Sequence, residues 1–147
     1  MHRHVGGGHT TQPRRLRTKM SPELAALAAL FKPQMTCVVR QSRKAVDTFS
    51  SVNSSTPDGL LLYQRNYEPG FSEIIVYAYD AGNRRYVRTQ LENGGAYAVA
   101  TSPGPVNGIW DWTVHASLKK YPVLHWERKD GVSRFWVSGK RWVGECK

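Results

Sequence analysis

The chain has 147 residues, 40% of them hydrophobic, and a formal net charge of +10. That length suits one domain with a real core, and no run approaches the ~20 apolar residues that cross a bilayer as a helix. Five of the net positive charges come from Arg3, Arg14, Arg15, Arg17 and Lys19 in residues 1–20, where no acid occurs; the rest of the chain is only moderately basic.

Residues 1–20, MHRHVGGGHTTQPRRLRTKM, lack apolar periodicity and read as a disordered basic tail. Such a tail suits an acidic partner or an anionic surface, or serves only as solvated charge. Positive charge before an apolar stretch is reminiscent of a secretory leader, but Pro22 and Glu23 interrupt it and no clean small-residue cleavage site comes after. A misplaced start codon accounts for the segment as well. His2, His4 and His9 sit on this tail and make no preorganised metal site.

Residues 21–147 read as a single domain. SPELAALAALF is the one good helix: Ser21 suits an N-cap, Pro22 the first turn and Glu23 the positive end of the dipole. Leu24, Leu27, Leu30 and Phe31 fall at helical spacing and Pro33 stops the run. So short a helix needs a surface to lie on. We expect it to plug or cover one end of the β-structure formed by the rest of the chain.

After Pro33 the chain reads as ten strands: QMTCVVRQ, AVDTFSSVNSS, LLLYQRNY, SEIIVYAY, RRYVRTQLE, AYAVAT, IWDWTVHA, YPVLHWER, VSRFWV and RWVGEC. Between them lie the turn signals SRK, TPDG, EPGF, DAGN, NGG, SPGPVNG, KDG and SGK. Short strands at regular intervals, with no helix between them, predict an antiparallel meander. Short turns favour an up-and-down barrel over a sandwich. In a closed barrel the first and last strands are neighbours. Cys37 and Cys146 then face each other, and we expect a disulfide; two buried thiols are the alternative. A bridge favours an extracytoplasmic, oxidising compartment, and free thiols a cytoplasmic one.

The run SEIIVYAYDAGNRRYVRTQLENGGAYAVATSPGPVNGIWDWTV resembles the middle of uncharacterised bacterial lipocalin-like domains of calycin type. Its closest piece is YDAGNRRYVRT. KPQMTCVV stands where such domains carry Gly-x-Trp-x-Cys after a leucine-rich helix, and only the cysteine matches. The resemblance spans about residues 22–147 and implies a barrel with a lumen and a short helix near one end; it implies no activity. Haem, which related nitrobindin-like barrels hold through a histidine, is disfavoured: the start pattern of spaced glycines and a tryptophan is missing, leaving only His115 and His125 as ligands.

Alternation sorts the candidate residues. In IWDWTVHA, Trp110, Trp112 and Val114 share one face and Asp111, Thr113 and His115 the other. We expect the apolar set inside, because unpaired charges are rarely buried. Extending this to the neighbouring strands, Tyr77, Tyr79, Tyr97, Trp110, Trp112, Leu124 and Trp126 are the expected lumen residues. They would either line a site for a small apolar or amphipathic ligand or simply fill the barrel.

The leading expectation is non-catalytic binding of such a ligand. The alternative is an interaction or assembly protein with a filled barrel and a basic tail on a larger partner. Nucleic acid comes third: NRRYVRT and ERKDGVSRFWVSGKRWV interleave aromatics with cations, but no RNP-type or zinc pattern occurs. No hydrolase, Walker or zincin motif is present. His115, His125, Asp111 and Glu127 could form an acid–base cluster or a solvated surface, and no catalytic residue is assigned.

Overall fold

The computed structural model describes residues 20–117 and 123–147. The tail up to Lys19, and the expected start of the eighth strand at Tyr121 and Pro122, lie outside the described residues. Helix α1 (Pro22–Ala28) is followed by β1 (Gln34–Gln41), β2 (Lys44–Ser55), β3 (Leu62–Glu68), β4 (Phe71–Asp80), β5 (Arg85–Glu92) and β6 (Tyr97–Ser102). Then come β7 (Pro105–Val106), β8 (Ile109–Ser117), β9 (Val123–Lys129), β10 (Val132–Val137) and β11 (Trp142–Cys146).

All pairings are antiparallel between chain neighbours, with two exceptions that close the sheet: β1 pairs with β11, and β6 pairs with β8. Ten strands therefore form a closed up-and-down barrel, and β7 is a two-residue addition on β8. The β1–β2 hairpin turns through Ser42 and Arg43, both at positive φ (51° and 69°). That is the sense of turn whose twist matches the flanking strands. Where β1 meets β11, Cys37 lies opposite Cys146 and the two are bonded, locking the seam.

Helix α1 begins as its sequence implies, with Ser21 Oγ accepting from the Leu24 N–H at 3.2 Å. It ends at Ala28, about one turn short of Pro33. Leu24, Leu27 and Leu30 are buried in the barrel core, and Phe31 packs on Tyr77 and Trp126. Two hydrogen bonds seat the segment: the Tyr86 hydroxyl donates to the Glu23 carbonyl at 2.9 Å, and the Ser133 hydroxyl donates to the Leu30 carbonyl. The helix thus closes the end bounded by the β4–β5 and β9–β10 hairpins. Among the described residues no helix is long and apolar enough to cross a membrane.

The seam strand holds one residue whose size is dictated by its neighbour. Gly144 pairs with Phe135 across the β10–β11 ladder, and a methyl group at Gly144 would overlap the Phe135 ring. That ring is stacked on Trp126 at 4.7 Å and meets Trp142 edge-on at 5.9 Å, so it has little room to retreat except into the lumen. Gly144→Ala is expected to cost about 1–3 kcal/mol, the usual penalty for overpacking, read as a lowered midpoint in thermal unfolding by circular dichroism. An unchanged midpoint would show that the ring yields freely.

Candidate functional site

The barrel interior divides along its axis. Next to the helix it is filled: Tyr79 and Tyr86 meet at 4.9 Å, Tyr86 and Trp110 at 4.8 Å, and Tyr77 and Trp112 at 5.6 Å. Trp112 and Tyr77 are each 1% exposed. Toward the opposite end the inward side chains thin out and stay half-buried, among them Val114, Leu124 and Trp142. There the lumen holds a cavity of about 160 Å³.

One wall of this cavity is apolar, built by Phe49, Val114, Leu124, Trp126, Phe135 and Trp142 from β2, β8, β9, β10 and β11. The other wall is polar: Asn66 from β3, Glu73 from β4, and Arg88, Gln90 and Glu92 from β5. Ala98, opposite Gln90 in the β5–β6 ladder, lines it too.

The polar wall is a connected network. Asn66 Nδ2 donates to Glu73 Oε1 at 2.7 Å, and Gln90 Nε2 donates to Glu73 Oε2 at 2.6 Å. Arg88 Nη1 donates to Gln90 Oε1 at 2.8 Å. Because a guanidinium only donates and an ionised carboxylate only accepts, the Gln90 amide can take just one orientation between them. Deeper, the Tyr77 hydroxyl donates to Gln64 Oε1 at 3.0 Å, and Gln64 Nε2 donates to Ser51 Oγ at 3.1 Å. Burial pushes the Tyr77 hydroxyl above its ordinary value, against an opposing pull from nearby Arg88, so it remains a donor across the physiological range.

Three buried side chains that line the cavity each keep a polar atom without a hydrogen-bond partner: Asn66 Oδ1, Arg88 Nε and Trp126 Nε1. Their residues are 5%, 6% and 4% exposed. An orphaned buried group costs about 1–3 kcal/mol. Three of them around one cavity is a pattern that folding alone does not favour.

Of the seven residues expected in the lumen, Leu124 and Trp126 line the cavity, while Tyr77, Tyr79, Trp110 and Trp112 pack the filled end beneath it. Tyr97 is a correction: it is 44% exposed and points outward. The register shows why. Tyr97 pairs with Leu91, and Leu91 with Ile74, all three on the outer face. Inside, Ala98 and Ala100 stand opposite Gln90 and Arg88, whose long side chains take the space. Sequence reasoning misses the polar wall itself. Its signal is the two-residue spacing of Gln64 and Asn66, and of Arg88, Gln90 and Glu92, on strands whose other face is more apolar.

Asp111, Thr113 and His115 face outward. A bulge at His115, where Val99 pairs with Ala116 but Ala100 with Val114, returns Ser117 to the inner side. His115 Nε2 lies 2.5 Å from Thr101 Oγ1. His125 Nδ1 lies 2.6 Å from Asp111 Oδ1, its Nε2 lies 2.6 Å from Ser138 Oγ, and its ring stacks on Trp136. This is the order of a carboxylate, a base and a hydroxyl. Acyl transfer also needs donors for an oxyanion. Here the Ser138 N–H is bonded to the Val123 carbonyl and the Lys140 N–H to the Val137 carbonyl, so these amides on and beside Ser138 are spent on the strand and turn. We read the cluster as cross-strand pairing on the outer surface. Neither histidine faces the lumen, and no metal-binding group of three or more His, Cys, Asp or Glu occurs among the described residues. Of the aromatics in the two cation-rich stretches, Tyr86, Phe135 and Trp142 face inward and only Trp136 faces out, so they form no external stacking platform.

No family model matches the chain, and no curated protein gives a significant match.

Proposed function

We propose that this protein binds a small amphipathic molecule in the barrel lumen without transforming it. The observation that carries this reading is the two-walled cavity: an aromatic surface for a flat or aliphatic body faces a hydrogen-bonding surface for a polar group. Cavities of this composition are the usual form of small-molecule sites. The resemblance to lipocalin-like domains agrees with it, though fold analogy alone is weak support for function. A barrel built only for assembly would have no reason to leave this end unfilled beside buried polar groups that lack partners.

The test uses N-phenylnaphthylamine, a dye that brightens in apolar surroundings. The wild-type chain is expected to bind it and enhance its fluorescence. Ala98→Trp, which fills the cavity from the β6 wall, is expected to weaken binding by about tenfold or more, the loss of a few apolar contacts, with little change in the thermal midpoint. Equal binding by both chains would place the dye elsewhere and sink the reading. A specific alternative locus exists: Ile74, Leu91 and Tyr97 are 46%, 52% and 44% exposed and adjacent across β4, β5 and β6. That stripe supports the second reading, an interaction surface for a larger partner.

A further inference from the structure

Resting on the lumen-binding reading, we propose that the occupant is an amphiphile with a carboxylate head, and that Arg88 and Trp126 receive this head at the floor of the cavity.

Arg88 is 6% exposed and projects from β5 into the lumen. Among the described residues the ion pairs are Arg85–Asp80 and Arg134–Glu145, and Arg88 takes part in neither. Its Nη1 donates to the neutral amide of Gln90, while its Nε has no hydrogen-bond partner. Its guanidinium carbon lies 6.0 Å from the centre of the Tyr77 ring. A buried cation of this kind is expensive unless an anion meets it. Gln90 stands between Arg88 and Glu73, so the Glu73 carboxylate is engaged by the amides of Asn66 and Gln90.

Trp126 Nε1 supplies the second unfilled donor, on the aromatic side. Its ring packs on Phe31, and Phe31 on Tyr77, so Trp126 and Arg88 both stand over the same aromatic floor. Two N–H donors without partners, one of them charged, are the number that a carboxylate's two oxygens take up; both lie beneath the cavity surface, so the head reaches them only as the side chains around it adjust. Phe135 and Trp142 then flank the body of the ligand on its way to the mouth. Glu73 and Glu92 lie directly opposite one another in the β4–β5 ladder and line the same cavity; they are the features that would favour a cationic head instead, and the experiment includes that arm.

The probes are octanoate, octanol and octylamine, matched in their alkyl chain. Each is titrated into the full-length protein and followed in nitrogen–proton correlation spectra at the Trp126 indole and Arg88 Nε resonances. Octanoate is expected to shift both and to bind about tenfold or more tightly than octanol, the worth of a hydrogen bond to a charged group. Arg88→Met, close in shape and uncharged, is expected to lose that advantage while still binding octanol, which also shows that the variant folds. Equal binding of octanoate and octanol, octylamine binding best, or an unchanged preference in Arg88→Met would overturn the carboxylate assignment and leave the lumen reading standing. Failure of all three probes to shift Trp126 would overturn the lumen reading itself.

Discussion

Reducing the Cys37–Cys146 bridge is expected to lower the stability of the protein by about 4–5 kcal/mol. The bridge spans a sequence separation of 109 residues and ties the first barrel strand to the last. In the chain-entropy account, a cross-link around a loop of about 100 residues removes roughly 4.7 kcal/mol of freedom from the unfolded chain. Both cysteines are fully buried, and opening them leaves thiols in an otherwise apolar core without new polar groups. The β1–β11 ladder must then hold the seam by itself. Urea titration of oxidised and reduced protein measures the difference; with a slope of about 1.5–2 kcal/mol per molar, the midpoint should fall by roughly 2–3 M. A shift smaller than about 0.5 M would mean that the two ends of the sheet stay together in the unfolded ensemble without the bridge.

Trp112→Ala is expected to be nearly as damaging, costing about 3–5 kcal/mol. Trp112 is 1% exposed and packs on Tyr77 at 5.6 Å and along Trp110 at 6.3 Å. It belongs to the filled half of the barrel, where its removal opens a void that the closed sheet cannot collapse around. Leu124 is its direct partner in the β8–β9 ladder, yet it borders the cavity and is only half-buried. Leu124→Ala is therefore expected to cost less than about 1.5 kcal/mol. The contrast, measured by urea denaturation, reads the boundary between filled and hollow lumen: similar losses at the two positions would mean that both are packed alike.

The sequence reveals one wall of the barrel far better than the other. On β8 and β9 the large apolar residues turn inward, and alternation in IWDWTVHA and VLHWER places Trp110, Trp112, Leu124 and Trp126 on the correct side. The seam also follows from the order of elements, since a closed meander must bring β1 to β11 and Cys37 to Cys146. On β3 and β5 the rule inverts. Gln64 and Asn66 turn inward while Tyr63 and Tyr67 face out, and Arg88 and Gln90 turn inward while Leu91 faces out. Register decides this, not side-chain polarity: once Tyr77 is inside, the ladder that pairs it with Arg88 and Leu62 sets the faces of both neighbours. A period of two cannot say which phase is buried when both phases carry apolar residues. The expectation that Tyr97 lies inside fails for the same reason, because its alanine neighbours are the ones that leave room for Arg88 and Gln90.

The hollow end of this barrel, rather than its outer surface, is where we place the small molecule. Trp126 is the natural reporter, because its indole N–H is buried, unpartnered and on a residue that lines the cavity. On titration with N-phenylnaphthylamine, the Trp126 indole resonance should move in step with the gain in dye fluorescence, while the amides of Ile74, Leu91 and Tyr97 stay in place. Movement of those three outer residues with Trp126 unperturbed would show that the dye sits on the outer stripe and that the lumen is not the site.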